Sequence, residues 1–165
     1  MATGTVILPV TSAVGDPSNP PALKYTATDN VPYLIFDNAT PEIVYWTFRL
    51  PENYSSAPKL KIQWSNAASD TGNCCWGCQV TAVTPNSDAD DMTATRTFDN
   101  INNQADAGVA TRRLQEVEMT LTNFDGAVAG DWVTLKFQRD ADDASDTMNT
   151  DEAYLWAVSF EYATT

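Results

Sequence analysis

Apolar residues recur at every second position along most of this chain, and that pattern limits the folds open to it. Within Ile43–Leu50, the residues Val44, Trp46, Phe48 and Leu50 fall on one face. Leu60, Ile62 and Trp64 alternate with Lys59, Lys61, Gln63 and Ser65, and Val117, Met119 and Leu121 alternate with Glu116, Glu118, Thr120 and Thr122. Val133, Leu135 and Phe137 alternate with Trp132, Thr134, Lys136 and Gln138. Near the end, the same count puts Tyr154, Trp156, Val158, Phe160 and Tyr162 together. Strand side chains alternate between two faces, whereas a helix repeats every ~3.6 residues, so these segments read as half-buried strands. Helical turns fit only Asp88–Met92 or Asn100–Asp106.

About eight strands are expected, near 32–37, 43–50, 59–66, 74–84, 94–99, 112–122, 131–139 and 153–162. Polar, turn-rich segments separate them, among them Pro51–Ser56, Ser69–Asn73 and Asp140–Asp151. Many short antiparallel strands joined by long crossing connections predict an all-β fold, a jelly-roll β-sandwich. The 165 residues make one domain of ordinary size. Residues 1–31 differ from the rest. They hold Pro9, Pro17, Pro20 and Pro21 and one short apolar piece, Val6-Ile7-Leu8, with a second extended run expected from Leu23 to Thr28. Proline fixes φ and removes a donor, so this part reads as an extended N-terminal arm ahead of a sandwich domain at 32–165.

Charge narrows the function. The chain has nine Lys+Arg against 22 Asp+Glu, no His, and a formal charge of −13. Binding phosphates needs clustered cations, so nucleic acid is not expected as a partner. Without His there is no Ser-His-Asp or Cys-His site and no His-ligated zinc. Apolar runs such as Tyr33–Phe36 are far shorter than the ~20 residues of a membrane span, so no membrane partner is expected. The start has no basic, apolar leader, and the chain is expected to be made and kept in the cytoplasm.

The chemically suggestive clusters have plain readings. Three Cys is an odd number, which fits reduced thiols. In a strand, Cys74, Trp76, Cys78 and Val80 point one way while Cys75, Gly77 and Gln79 point the other, so the thiols do not converge on a metal. Asp140, Asp142 and Asp146 approximate calcium-loop spacing, but Ala144 and Ser145 stand where such a loop needs a ligand and a glycine. The cluster reads as a solvated loop, and Glu116 with Glu118 as an exposed ladder. No catalytic residue, cofactor or metal is therefore expected. Trp46, Trp64, Trp76 and Trp156 read as core, whereas Trp132 lies on a polar face and marks a contact surface. Trp132, Tyr25 and Tyr45 on outer faces motivate a carbohydrate-binding alternative.

Several ordered pieces carry a resemblance. They are Tyr33-Leu34-Ile35-Phe36-Asp37, Trp46, Phe48, Leu50-Pro51, Tyr54, Leu60, Trp64, Thr71-Gly72-Asn73 and Trp76-Gly77. Gly130-Asp131, Arg139-Asp140, Asp143, Asp146-Thr147, Leu155, Val158 and Glu161-Tyr162 follow. Over roughly 32–162 this order resembles jelly-roll capsid decoration (cement) proteins of tailed phages. The doubled Cys74-Cys75 departs from that pattern. The resemblance implies a structural virion protein on the outer capsid surface, made in the host cytoplasm. It implies a homotrimer that stabilises the head by bridging major capsid protein subunits. On that reading Val6, Ile7, Leu8 and Val10 of the arm, with Tyr25 and Trp132, form the interface. The alternative is a carbohydrate-binding or head-fibre/tail module, with a glycan at the outer tip.

Overall fold

The alternating segments become strands of two antiparallel sheets packed face to face. The computed structural model describes residues 2–110 and 112–165. Its strands are β1 (Thr3–Leu8), β2 (Val14–Gly15), β3 (Ala22–Tyr25), β4 (Pro32–Phe36), β5 (Glu42–Arg49) and β6 (Tyr54–Asn66), followed by β7 (Asn73–Val83), β8 (Asn102–Ala107), β9 (Gln115–Thr120), β10 (Trp132–Arg139) and β11 (Ala153–Thr164). One sheet runs β3-β4-β11-β6-β9, with β1 also on β11; the other runs β2-β5-β10-β7-β8. Apart from the consecutive pairs β3–β4 and β7–β8, neighbouring strands are distant in sequence, as the expected jelly-roll β-sandwich requires.

The inner faces are those the alternation singles out. Val44, Trp46 and Leu50, then Leu60, Ile62 and Trp64, then Val133, Leu135 and Phe137 are all buried. Trp76 and Phe137 stack at 5.4 Å, and Phe36 meets Trp76 edge-on at 5.4 Å. Such ring pairs add about 0.5–1.5 kcal/mol each beyond the area they bury. The same inner layer takes in Cys74 and Cys78, as the strand reading of that segment predicts.

The N-terminal arm needs correction. It is extended but does not stand apart from the sandwich. β1 pairs with β11 from Thr3↔Ala163 to Leu8↔Val158, β2 pairs with β5, and β3 pairs with β4. Leu8 and Val10 join the core, and the Pro9 carbonyl accepts the Trp46 Nε1–H at 3.0 Å. The physical reason is that β11, β5 and β4 each offer an open edge, and short strands close them. Gly4 matters to this docking, because a Cβ there would come within 2.1 Å of Tyr162 Cζ.

Two local expectations also fail. Residues 94–99 cross the outer face of the β7 sheet as irregular chain, although Thr and Phe favour a strand there. The polar run Asn100–Asp106, read as a possible helical turn, instead falls largely in the edge strand β8, paired with β7 from Asn73↔Ala107 to Cys78↔Asn102. Strand formation follows the available partner edge more than intrinsic preference. The one helical turn among the described residues is a 3-10 turn at Val10–Ser12.

Candidate functional site

The outer face of the six-stranded sheet carries an aromatic patch that strict alternation hides. β11 pairs with β6 as Leu155↔Trp64 and then Ala157↔Gln63, so Trp156 is an extra residue, a β-bulge. Two residues stand opposite one, and the side-chain phase of β11 shifts there. Ala153 and Leu155 point inward before the bulge, and Val158, Phe160 and Tyr162 point inward after it. Tyr154 and Trp156 are half-buried on the outer side. The expectation that Trp156 belongs to the core is thus wrong, and so is the single face drawn through Tyr154, Trp156 and Val158.

Tyr33, on β4, completes the patch. Its ring lies 4.8 Å from Trp156 and 5.0 Å from Tyr154. The Trp156 Nε1–H donates to Ser65 Oγ at 3.0 Å, which fixes the indole over β6. Burial, then the charge of Glu152, holds the Tyr154 phenol above its ordinary pKa, so it remains a hydroxyl donor at neutral pH. Lys24 stands beside Tyr33 in the register, and Gln63 beside Ala157.

Further along the same face the charges pair among themselves. Lys59 Nζ lies 2.8 Å from Glu118 and 3.7 Å from Glu161; Lys61 Nζ lies 3.5 Å from Glu161 and 3.7 Å from Glu116. The hydrogen bond that Lys59 donates to Glu118 raises the Lys59 pKa. Glu116 also accepts from Gln63 Nε2 at 2.9 Å. Glu116 and Glu118 therefore form the exposed ladder read from the sequence. The face offers rings, hydroxyls and amides, with Lys59 and Lys61 matched by glutamates and Lys24 in no ion pair among the described residues.

The residues expected at an interface are scattered. Leu8 and Val10 lie in the core, Val6 packs half-buried against it, and none of these three presents a free surface. Ile7 is 67% exposed and shares the aromatic face, in register with Ser159. Tyr25 is 54% exposed on the β3 edge, and Trp132 is 41% exposed on the opposite sheet, as its polar-face position predicts. Tyr45 is half-buried there, its hydroxyl donating to Asp16 at 3.1 Å. Tyr33, Tyr154 and Trp156 were missed as site residues. The available signal was the unbroken apolar run Ala153–Val158, which fits both strand phases and so marks a place where the phase can change.

The acidic connection before β11 is not the solvated loop expected. Asp146 is buried and receives two hydrogen bonds from the fully buried Arg139, at 2.9 and 2.8 Å. Burial opposes the guanidinium charge, but the Asp146 carboxylate outweighs it and keeps the Arg139 pKa above its ordinary value. Asp151 is buried as well and accepts from the Ala68 and Asp70 amides at 3.0 and 2.8 Å. Asp146 is thus committed to Arg139. Among the described residues no three acidic or Cys groups converge to hold a metal.

No protein-family model matches the chain, and no curated protein matches its sequence. Its fold is similar to solved structures. A family 35 carbohydrate-binding module from Clostridium thermocellum superposes with a TM-score of 0.50 at 13% identity, covering 95% of this chain and 97% of that one. A family 35 module of Cellvibrio japonicus Abf62 gives 0.49 at 12% identity, covering 98% and 95%. At such identities the likeness establishes the sandwich fold and nothing finer.

Proposed function

We propose that the protein is a non-catalytic carbohydrate-binding sandwich whose contact face is the Tyr33–Trp156–Tyr154 patch. The observation that carries this reading is the bulge at Trp156. It turns two aromatic side chains out of a core-forming strand and sets them against a third, within 5.0 Å. Bulges that re-aim side chains concentrate next to functional sites. Aromatic rings stack on the C–H faces of pyranoses, while Tyr154, Gln63 and Lys24 supply polar contacts at the rim. With Lys59 and Lys61 already paired, Lys24 is a lone cation at the rim and not the cluster that a polyanion requires, which favours a neutral glycan. The fold likeness to a carbohydrate-binding module supports the same reading.

The test is affinity electrophoresis and calorimetry against a panel of neutral polysaccharides. At least one should bind the unaltered protein. Trp156→Ala should weaken that binding by about tenfold or more, the effect of losing a central aromatic anchor. Val14→Ser, an exposed change on the other sheet's edge, should leave it unchanged. Absence of binding across the panel, or equal binding by Trp156→Ala, refutes the proposal.

The ordered residues that resemble phage cement proteins support a second reading, a trimeric decoration protein on major capsid subunits. With Leu8 and Val10 in the core, that contact would fall to Ile7, Tyr25 and Trp132. Light scattering decides the assembly part: a mass of three 18.0 kDa chains favours it, and a monomer counts against it.

A further inference from the structure

The surface beside the aromatic patch is hollowed. The Trp156 indole leans toward Ser65, the β6 partner of Tyr154, and so lies on the Tyr154 side of its own backbone. On the other side a depression of about 130 Å³ opens, lined by Ile7, Lys61, Gln63, Ala157 and Ser159 among others. Two features produce it. The side chain at Ala157 is only a methyl group. On one flank of β11, β4 pairs as far as Leu155 and β1 begins at Leu8↔Val158, so neither strand pairs with Trp156 or Ala157. The bulge that turns the rings outward therefore also leaves a gap next to them.

The register gives the depression its shape. Ala157 and Ser159 of β11 form the floor. Ile7 of β1 stands opposite Ser159 on one side, and Gln63 and Lys61 of β6 stand opposite Ala157 and Ser159 on the other. The hollow is thus a trough that runs along β11, in line with the indole over Ser65. From Ser65 to Lys61 is four residues of β6, or about 13 Å of strand. A linear chain of two or three pyranose residues covers that path.

The groups in the trough suit a sugar ring. Ile7, 67% exposed, and Ala157 offer apolar contact to C–H faces. Gln63 Nε2 is committed to Glu116, which leaves Gln63 Oε1 with no partner among the described residues. Ser159 Oγ has none there either, and it can both donate and accept. Lys61 is held by Glu161 and Glu116. The trough therefore offers apolar walls, one acceptor and one hydroxyl. Its walls flank the floor on both sides, so a side branch on the sugar residue between them would meet Ile7 or Gln63.

We infer that the ligand of the Trp156 patch is a linear, unbranched neutral glycan lying along β11, and that Ile7, Gln63 and Ser159 contact the sugar residue next to those on the rings. The inference rests on the carbohydrate-binding reading. It adds the architecture of the ligand and the residues that select it.

The test is calorimetry with soluble linear oligosaccharides of xylan, mannan, cellulose and amylose. Each is compared with its side-branched counterpart, from arabinoxylan, galactomannan, xyloglucan and branched dextrin. At least one linear oligosaccharide should bind, and its branched counterpart should bind about tenfold or more weakly. Ala157→Leu, which fills the floor, and Ile7→Ser, which removes the apolar wall, should each weaken the linear ligand by about tenfold or more. Thermal melts check that both variants fold, and Ile7→Ser, at an exposed position, decides alone if Ala157→Leu does not. The inference is overturned if the folded variants bind the linear ligand as the unaltered protein does, or if a branched ligand binds as tightly as its linear counterpart or more so. If Trp156→Ala weakens binding in either of those cases, the trough falls and the proposed function stands. If no linear or branched ligand binds, both fall.

Discussion

Replacing Asp146 by Ala should be among the most damaging single changes in this protein. Its partner Arg139 is 0% exposed. Besides the two bonds to Asp146, the guanidinium donates to the Asp151 carbonyl at 2.9 Å and the Met148 carbonyl at 2.5 Å. Asp146 Oδ2 also accepts the Cys75 amide at 2.9 Å. Truncating Asp146 therefore leaves a buried cation without its counter-charge and a buried N–H without an acceptor. Removing one member of a buried pair costs about 3–5 kcal/mol. Counting the two charge-assisted bonds at about 1.5–3 kcal/mol each gives a similar figure. For a domain of this size, about 2–4 °C per kcal/mol converts that loss to a fall of about 6–20 °C in the melting midpoint. Urea unfolding followed by Trp fluorescence measures it. Glu52→Ala, which removes an exposed ion pair with Arg49, is the comparison and should cost under about 1 kcal/mol. In the double variant Arg139→Met, Asp146→Ala the buried cation is gone, so it should be no less stable than Asp146→Ala alone. An Asp146→Ala loss below about 1 kcal/mol, or one equal to that of Glu52→Ala, refutes the reasoning.

Four further outcomes are expected. Burial raises the pKa of all three thiols, that of Cys75 to about 12, so iodoacetamide at neutral pH should label none of them in the native protein and all of them in denaturant; native labelling of Cys75 at the denatured rate contradicts this. Burial, then Asp37 and Glu152 charge, raises the Glu42 pKa, so the folded state binds that proton more tightly and stability is lost as pH rises through the folded value. Glu42→Gln should therefore melt higher than the unaltered protein at pH 7, with the gap closing below the ordinary value of 4.5. Asp70 runs the other way: the Gly72 amide and Thr150 hydroxyl lower its pKa, so Asp70→Asn should melt lower at pH 7, with the gap closing below 3.8. Melts across pH that move both variants in the same direction contradict the assignment. Gly4→Ala should push the Tyr162 ring off its Asn53 partner and cost about 1–3 kcal/mol by overpacking; unchanged amide-exchange protection across β1 counts against it.

What the sequence determined by itself is the local alternation, and with it most of the core. Leu60, Ile62 and Trp64, or Val133, Leu135 and Phe137, can satisfy period two only by facing the same side, so their burial needed no knowledge of their neighbours. The outward position of Trp132 and the opposed faces of Cys74 and Cys75 follow from the same count. The absence of His and the excess of acid likewise constrain the chemistry before any fold is known.

Tertiary structure decided whatever depends on which edge meets which. Polar Asn102–Ala107 became a strand because the Asn73–Cys78 stretch of β7 had an edge to fill. Residues 1–31 were drawn into both sheets by open edges on β11, β5 and β4 that their own composition does not reveal. The aromatic patch depended on a register shift. A one-residue bulge reverses every side chain beyond it, and the pairing with β6, not the local residues of β11, set where that reversal falls.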